Sequence, residues 1–338
     1  MTPRLFLPSL ALLDIGPSSA PPPQLIPLDE ASAHHLLRVL RHREGDTLEI
    51  FDGRGRAWQA ELIDGRAATV RLLQALPPQP EPPVRLCLAQ CLSTADKMDW
   101  TIEKAVELGV DEIVPLQSAR SVVKLDANRA EKRLAHWQRL IAAASMQCRR
   151  NRLPTLQPVQ ALGTWLKRLG PVQAGEHRWV LWPEAERSLA AQIRAQAYPS
   201  SPRPGDMAPT SSQTAPRATD TALPPDHMDI DAGSHPGMGA GSHSSTARNP
   251  AQPFRPGEAI RRKAPPTTQI DDAELGKGSP IRSAWLLCGP ESGLSADEVE
   301  LAIRNTWQPA LLGPRVLRTE TAGLVGLTVL QTLIGDLR

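Results

Sequence analysis

Cysteine is scarce in this chain, with four in 338 residues. Cys87, Cys91, Cys148 and Cys288 form no CxxC pair and none stands at ligand spacing from a histidine, so they read as reduced core residues rather than metal ligands. A strong charge of either sign is also missing: the formal net charge is +2. Nucleic-acid binding must therefore rest on local clusters and not on overall electrostatics. No apolar run reaches membrane-spanning length, and MTPRLFLPSL lacks a long apolar core followed by a small-residue cleavage site. The expectation is a cytoplasmic protein with no membrane partner and no metal. No GxGxxG follows a strand and no GxxxxGK[ST] occurs, which disfavours a dinucleotide oxidoreductase and a P-loop enzyme.

What is present is enough apolar residue, 41% of the sequence, for two domains with cores of their own. Residues 1–76 read as a small β-rich domain. Leu48, Ile50 and Phe51 precede an Asp52-Gly53 turn, Trp58, Ala60 and Leu62 alternate up to Asp64-Gly65, and Ala68, Val70 and Leu72 alternate again. Ahead of them, residues 29–43 predict a short helix that turns Leu36, Val39 and Leu40 to the core. Its other side carries histidines and arginines, either as a solvated basic face or as a nucleic-acid contact.

The proline cluster at 77–84 predicts a semi-rigid linker. Beyond it, RLCLAQCL (85–92) reads as a strand. Residues 95–108 form a helix with Met98, Ile102, Ala105 and Val106 on one face and Gly109 just past its end. A strand at 110–115 follows, and then a long helix with Ala130, Leu134, Trp137, Ile141, Ala144 and Cys148 at helical spacing. Arg149, Arg150 and Arg152 close that helix, where they either complement its C-terminus or bind phosphate. A short helix at 165–169 and a strand at 178–182 continue the alternation, which predicts an α/β domain over 85–338 with a largely parallel sheet. Residues 199–280, holding 14 of the 34 prolines, predict a disordered insertion. Structure resumes with the strand 284–288 and the loop Gly289 to Gly293. Ser295 and Glu298 are spaced as a capping box, so a helix begins there.

The final stretch reads as an apolar pair, a Gly313-Pro314 turn, Val316, Leu317 and Arg318, then a helix with Leu324, Val325, Leu327, Val329, Leu330, Leu333 and Ile334 around its circumference. A helix apolar on all sides must be buried on all sides, which points to a second subunit as well as its own sheet.

Four segments carry a resemblance: HHLLRVLRHREGD (34–46), KMDWTIEKAVELGVDEIVPLQSARSVVK (97–124), GPESGLSADEVE (289–300) and LLGPRVLRTETA (311–322). In this order they resemble the bacterial 16S ribosomal RNA uridine-N3 methyltransferases of the SPOUT superfamily. The resemblance implies an α/β fold, a SPOUT-type trefoil-knot methyltransferase domain with an N-terminal PUA-like β-barrel domain. It also implies a homodimer, S-adenosylmethionine as cofactor, and 16S ribosomal RNA or the small ribosomal subunit as partner. Another RNA target, or a non-catalytic RNA-binding protein of the same fold, are the alternatives. The family usually has glycine and phenylalanine where Ser292 and Leu294 stand, and Ser292 keeps the turn only with a negative φ.

On this resemblance three loops hold the cofactor: Trp182, Pro183 and Glu184; Leu287, Cys288, Gly289, Pro290, Glu291 and Gly293; and Leu312, Gly313, Val316 and Leu317. Arg318 is the catalytic candidate, stabilising charge that develops on the uracil oxygens. It could instead serve a salt bridge with Glu320 or Glu291. Glu291, water or the RNA itself could take the proton. RNA contacts are expected from Arg4, Arg38, Arg41, Arg43, Arg149, Arg150 and Arg152.

Overall fold

The structure, a computed structural model, describes residues 2–12, 25–197 and 281–337. The segment expected to be disordered, 199–280, lies outside the described residues.

Five short strands build the N-terminal sheet: β1 (Arg4–Phe6), β2 (Leu25–Pro27), β3 (Thr47–Phe51), β4 (Ala57–Asp64) and β5 (Thr69–Ala75), in the order β1-β3-β4-β5-β2. β1 runs parallel to β3, and the other pairs are antiparallel. Period-two alternation buries Leu48, Ile50, Trp58, Leu62, Val70 and Leu72 in one core. The first hairpin has Gly53 at φ +74 as its Asp-Gly signal requires, whereas the second turns over Gly65 to Ala68 with Gly65 outside the left-handed region. There the Asp64 carboxylate accepts from the N–H groups of Arg66 and Ala67, and Ala68 takes the left-handed conformation at φ 47. Ala68 thus ends the turn rather than starting the strand.

The basic segment forms α1 (Glu30–His34), capped by Asp29, and then one widened turn over His35–Val39. The Leu40 N–H reaches the His35 carbonyl five residues back at 2.9 Å. That wider turn breaks the 3.6-residue phase: Leu36 is fully buried, but Val39 is 58% and Leu40 37% exposed. The expectation that all three face the core is corrected to Leu36 alone.

The second sheet is seven-stranded and parallel in every pairing. Its elements in chain order are β6 (Arg85–Cys91), α2 (Ala95–Glu107), β7 (Glu112–Gln117), α3 (Ala127–Cys148), β8 (Thr155–Leu156), β9 (Gln160–Ala161), α4 (Leu162–Arg168), β10 (Glu176–Leu181), α5 (Leu189–Ala197), β11 (Ser283–Cys288), α6 (Ala296–Arg304), β12 (Gln308–Ala310) and α7 (Thr319–Ile334). β7 starts two residues later than the periodicity suggests. The N–H groups of Gly109 and Val110 close the end of α2 on the carbonyls of Val106 and Ala105, so the chain is still capping a helix there.

Leu86, Leu88 and Leu286 face one core with α2, α3, α5 and α7, while Ala89, Cys91, Val114 and Leu287 face the other with α4 and α6. Both faces are covered, which is why these strands read as continuous apolar runs. α7 lies on the first core. Gly323, Gly326, Leu327 and Leu330 are buried, whereas Leu324, Val325, Val329, Leu333 and Ile334 are only half-buried. Within one chain the terminal helix is therefore covered on one side, not all round. A β-carbon on Gly326 would sit 2.8 Å from Leu286 Cδ1, so glycine sets how closely α7 approaches β11.

Three of the seven arginines expected to touch RNA instead fasten structure together. Arg4 is 8% exposed. It pairs with Glu49 at 3.1 Å, donates to Asn151 Oδ1, and lies 4.7 Å over the Phe51 ring. Arg149 caps α3 in the left-handed conformation and donates to both oxygens of Glu49 at 2.7 and 2.9 Å. Arg150 binds Glu81 at 2.6 Å and the carbonyls of Val106 and Val110. Arg4 and Arg149 share one carboxylate and so tie the N-terminal sheet to the end of α3. Of the arginines expected to touch RNA, Arg4, Arg149 and Arg150 are thus held in ion pairs within the chain. Arg38, Arg41, Arg43 and Arg152 are exposed, with no ion-pair partner among the described residues.

Candidate active site

The C-terminal ends of β6, β10 and β11 lie together in the parallel sheet, where the strand-to-helix loops of an open α/β sheet gather functional groups. Hydrogen bonds between loops far apart in sequence join all three expected segments. Trp182 N–H donates to Ala310 O at 2.9 Å, Leu311 N–H to Arg187 O at 3.1 Å, and Leu189 N–H to Leu311 O at 2.9 Å, which zip the loop after β10 to the 311–318 segment. Thr319 links that segment to the loop after β11: its hydroxyl donates to Gly289 O at 2.5 Å and accepts from Gln90 Nε2 at 2.9 Å. Cys288 Sγ donates to Thr319 O at 3.5 Å, and burial pushes its thiol up to about 11, so it is a packed thiol and not a nucleophile.

The glycine loop is shaped by its own residues. Gly293 N–H donates to Pro290 O at 2.9 Å with Gly293 at φ +70. Ser292 keeps a negative φ, as its position demands, and its hydroxyl donates to Arg120 O at 2.6 Å. Leu294, where phenylalanine is usual in the resembling family, is 2% exposed in the core. The capping box of Ser295 and Glu298 forms, and Glu298 also accepts from Ala119 N–H at 2.7 Å. The 118–125 segment is thereby clamped onto the glycine loop.

Arg318 is the N-cap residue of α7, exposed, and without a side-chain partner among the described residues. Neither candidate salt bridge to it forms, because Lys97 holds both carboxylates: its ammonium is 3.4 Å from Glu291 and 3.6 Å from Glu320. Lys97 is the residue that reading the sequence missed, although it opens one of the quoted motifs. Burial alone would raise the Glu291 carboxyl. Hydrogen bonds from Thr94 N–H and its own backbone, with the Lys97 charge, outweigh that and hold it below the usual carboxylate range. A carboxyl held low in this way is a weaker base than an ordinary glutamate. Two polar atoms at the junction, Gln90 Oε1 and Glu320 Oε2, are buried with no hydrogen-bond partner. Trp182 and Leu317 are half-buried, while Pro183, Glu184 and Val316 are exposed, the last at 80%. No group of three or more metal-ligating side chains occurs among the described residues, and no helix there is long and apolar enough to cross a membrane.

A curated relative from Buchnera aphidicola, named ribosomal RNA small subunit methyltransferase E, is 24% identical over 316 residues, covering 93% of each chain. The protein of the same name from Bacillus subtilis is 25% identical over 300 residues, covering 88% of this chain and 86% of its own. Among solved structures, a putative methyltransferase from Legionella pneumophila in complex with S-adenosylmethionine superposes with a TM-score of 0.65 at 24% identity, covering all of both chains. A ribosomal RNA small subunit methyltransferase E from Neisseria gonorrhoeae, bound to S-adenosylmethionine, gives 0.63 at 24% identity with the same coverage. Both share the fold. A family model described as an RNA methyltransferase domain matches residues 80–202 and 261–331, and one described as an RNA methyltransferase PUA domain matches residues 28–73. With the first of these spanning more than half of the sequence, the chain belongs to the RNA methyltransferase domain family and carries that family's PUA domain ahead of it.

Proposed function

We propose that this chain methylates N3 of a uridine in 16S ribosomal RNA, with S-adenosylmethionine as methyl donor, as a cytoplasmic homodimer whose last segment threads a trefoil knot around the cofactor. The observation that carries the reading is that Thr319 joins the glycine loop to the 311–318 segment, to which the loop after β10 is in turn hydrogen-bonded, within a chain of this family. The residues present fit such a cofactor. Gln90 Oε1 is buried without a hydrogen-bond partner at the loop junction. Gly289 lies so close to the backbone nitrogen of Leu294 that a β-carbon would approach it at 3.0 Å, keeping the loop tight.

When bound, S-adenosylmethionine supplies an electrophilic methyl group on its sulfonium. Uridine N3 must lose its proton, to Glu291, water or the RNA itself, and be held in line with that group, so positioning supplies much of the catalysis. Thr319 holds the glycine loop and the Arg318 segment at fixed separation. Lys97 offsets part of the negative charge of Glu291 and Glu320, which weakens their repulsion of an anionic base. Arg318, exposed and unpaired, stabilises the negative charge that develops on the uracil oxygens as N3 is deprotonated. The exposed Arg38, Arg41, Arg43 and Arg152 bind RNA phosphates, and the target base is flipped out to reach the site.

The half-buried Leu324, Val325 and Val329 of α7 supply the dimer surface, and sedimentation should give a dimer. The decisive assay is transfer of tritium from labelled cofactor to unmodified 16S RNA or small subunits, with the product nucleoside identified. N3-methyluridine is expected. Label in transfer RNA or in another nucleoside would replace the substrate assignment, and absence of cofactor heat in calorimetry on folded protein would leave a non-catalytic RNA-binding protein.

A further inference from the structure

Two ends of one quoted motif, the start of 97–124 at Met98 and its end, Ser121 to Lys124, lie outside the three cofactor loops. The fold brings them to opposite sides of a cleft of about 250 Å³ between the β6–α2 turn, the 118–125 segment and α3. Met98, Val123, Leu125 and Trp137 form apolar walls. Trp137 is fixed in orientation because its Nε1–H donates to Asp99 at 2.9 Å. Against these walls stand two polar groups. Ser93 is 4% exposed, and its Oγ is buried with no hydrogen-bond partner. Arg133 also lines the cleft, and its guanidinium has no ion-pair partner among the described residues.

The cleft adjoins the cofactor loops directly. Thr94, on its rim, donates its N–H to Glu291 at 3.1 Å. Gln117 Oε1 accepts from Leu125 N–H at 3.1 Å, and Arg120 O from Ser292 Oγ at 2.6 Å, which fix the covering segment to the sheet and to the glycine loop.

Resting on the RNA methyltransferase reading, we propose that this cleft takes the flipped-out uracil base of the RNA, with Arg133 and Ser93 reading its carbonyl oxygens. A planar base with two apolar faces and a polar edge matches apolar walls with a few polar groups. A guanidinium has donors only. It pairs with the O4 of uracil and is mismatched to the N4 amino group of cytosine, so the cleft selects uracil as well as holding it. The buried Ser93 hydroxyl has no hydrogen-bond partner in the protein, which leaves it able to bond a polar ligand atom.

The test is fluorescence anisotropy of the full chain with three RNA hairpins that differ only at one unpaired position: uridine, cytidine or an abasic residue. The wild-type chain should bind the uridine hairpin about tenfold more tightly than either other. Arg133→Ala and Val123→Trp should each reduce that preference to below about twofold, with background hairpin affinity and calorimetric cofactor affinity unchanged. Arg133 is on the surface of α3, so its variant keeps the test open if Val123→Trp fails to fold. Equal wild-type affinity for the three hairpins, or a preference that survives in Arg133→Ala, would overturn the proposal. Loss of cofactor affinity in a folded Val123→Trp would overturn it too, by giving the cleft to the cofactor. A wild-type chain that prefers uridine yet transfers no methyl group would keep the cleft and remove the enzyme reading. One that transfers methyl without the preference would do the reverse.

Discussion

Lys97, Glu291, Glu320 and Arg318 divide their work by what each side chain touches. Lys97 bridges the two carboxylates, which leaves the Arg318 guanidinium free for the substrate contact proposed above. Arg318→Ala should therefore lower turnover by about a hundredfold or more, with the dimer and cofactor affinity retained; single-turnover methyl transfer reads it, and unchanged turnover would remove Arg318 from the chemistry. Glu291 gives a pH signature with a definite sign. Its folded pKa is depressed, so its stabilising contribution is present above the ordinary glutamate range and is lost as pH falls through the folded value. Acid unfolding of Glu291→Gln should accordingly begin with less pH dependence below about pH 4.5 than the wild type, and identical acid profiles would contradict the assigned contacts. None of these pairings was readable from the sequence, because Lys97 and Glu291 stand 194 positions apart. The arginines show the same limit from the other side: Arg149 meets Glu49 over 100 positions and Arg150 meets Glu81 over 69, so clusters of positive residues that look alike in sequence separate into fasteners and free surface only on folding.

Among the elements, α7 shows how composition and contact differ. Its apolar residues announced a buried helix, and Leu327 and Leu330 are fully buried, each contributing roughly 1.5–3 kcal/mol. What composition did not announce is that two glycines, at positions 323 and 326, face the sheet, and that the leucines and valines beside them stay half-buried. Gly326→Val should push α7 off Leu286 and destabilise the protein by about 1–3 kcal/mol; a lower melting temperature measures it, and an unchanged one would show that β11 and α7 are not packed this closely. The basic segment teaches a related point. A single widened turn rotated Val39 and Leu40 into solvent, and helical spacing cannot anticipate an i to i+5 hydrogen bond.

Across the whole molecule, Glu49 is the carboxylate on which Arg4 and Arg149 both close. Burial pushes the Arg4 guanidinium below its ordinary value and Glu49 pulls it back. Glu49→Gln should leave a buried cation uncompensated and cost about 3 kcal/mol, read as a lower urea midpoint at unchanged slope. A midpoint like the wild type would mean that the N-terminal sheet is held to α3 by other contacts. The family match skips residues 203–260, while β10 and β11 on either side pair in continuous parallel register. Excising 203–260 should therefore leave calorimetric cofactor affinity within about twofold, because closing a loop depends only slowly on its length. A larger loss would give that segment a part in the site.

Local chemistry was enough for the main alternation of strands and helices, the capping box of Ser295 and Glu298 and the glycines at 53 and 109, because turns, caps and apolar periods act over a few residues. Which arginines remain free, which lysine holds the two carboxylates, which face of α7 meets the sheet, and that Ser93, Val123 and Arg133 share one cleft all depend on contacts between residues tens to hundreds of positions apart. Those contacts come into being only when the parallel sheet brings the ends of its strands together.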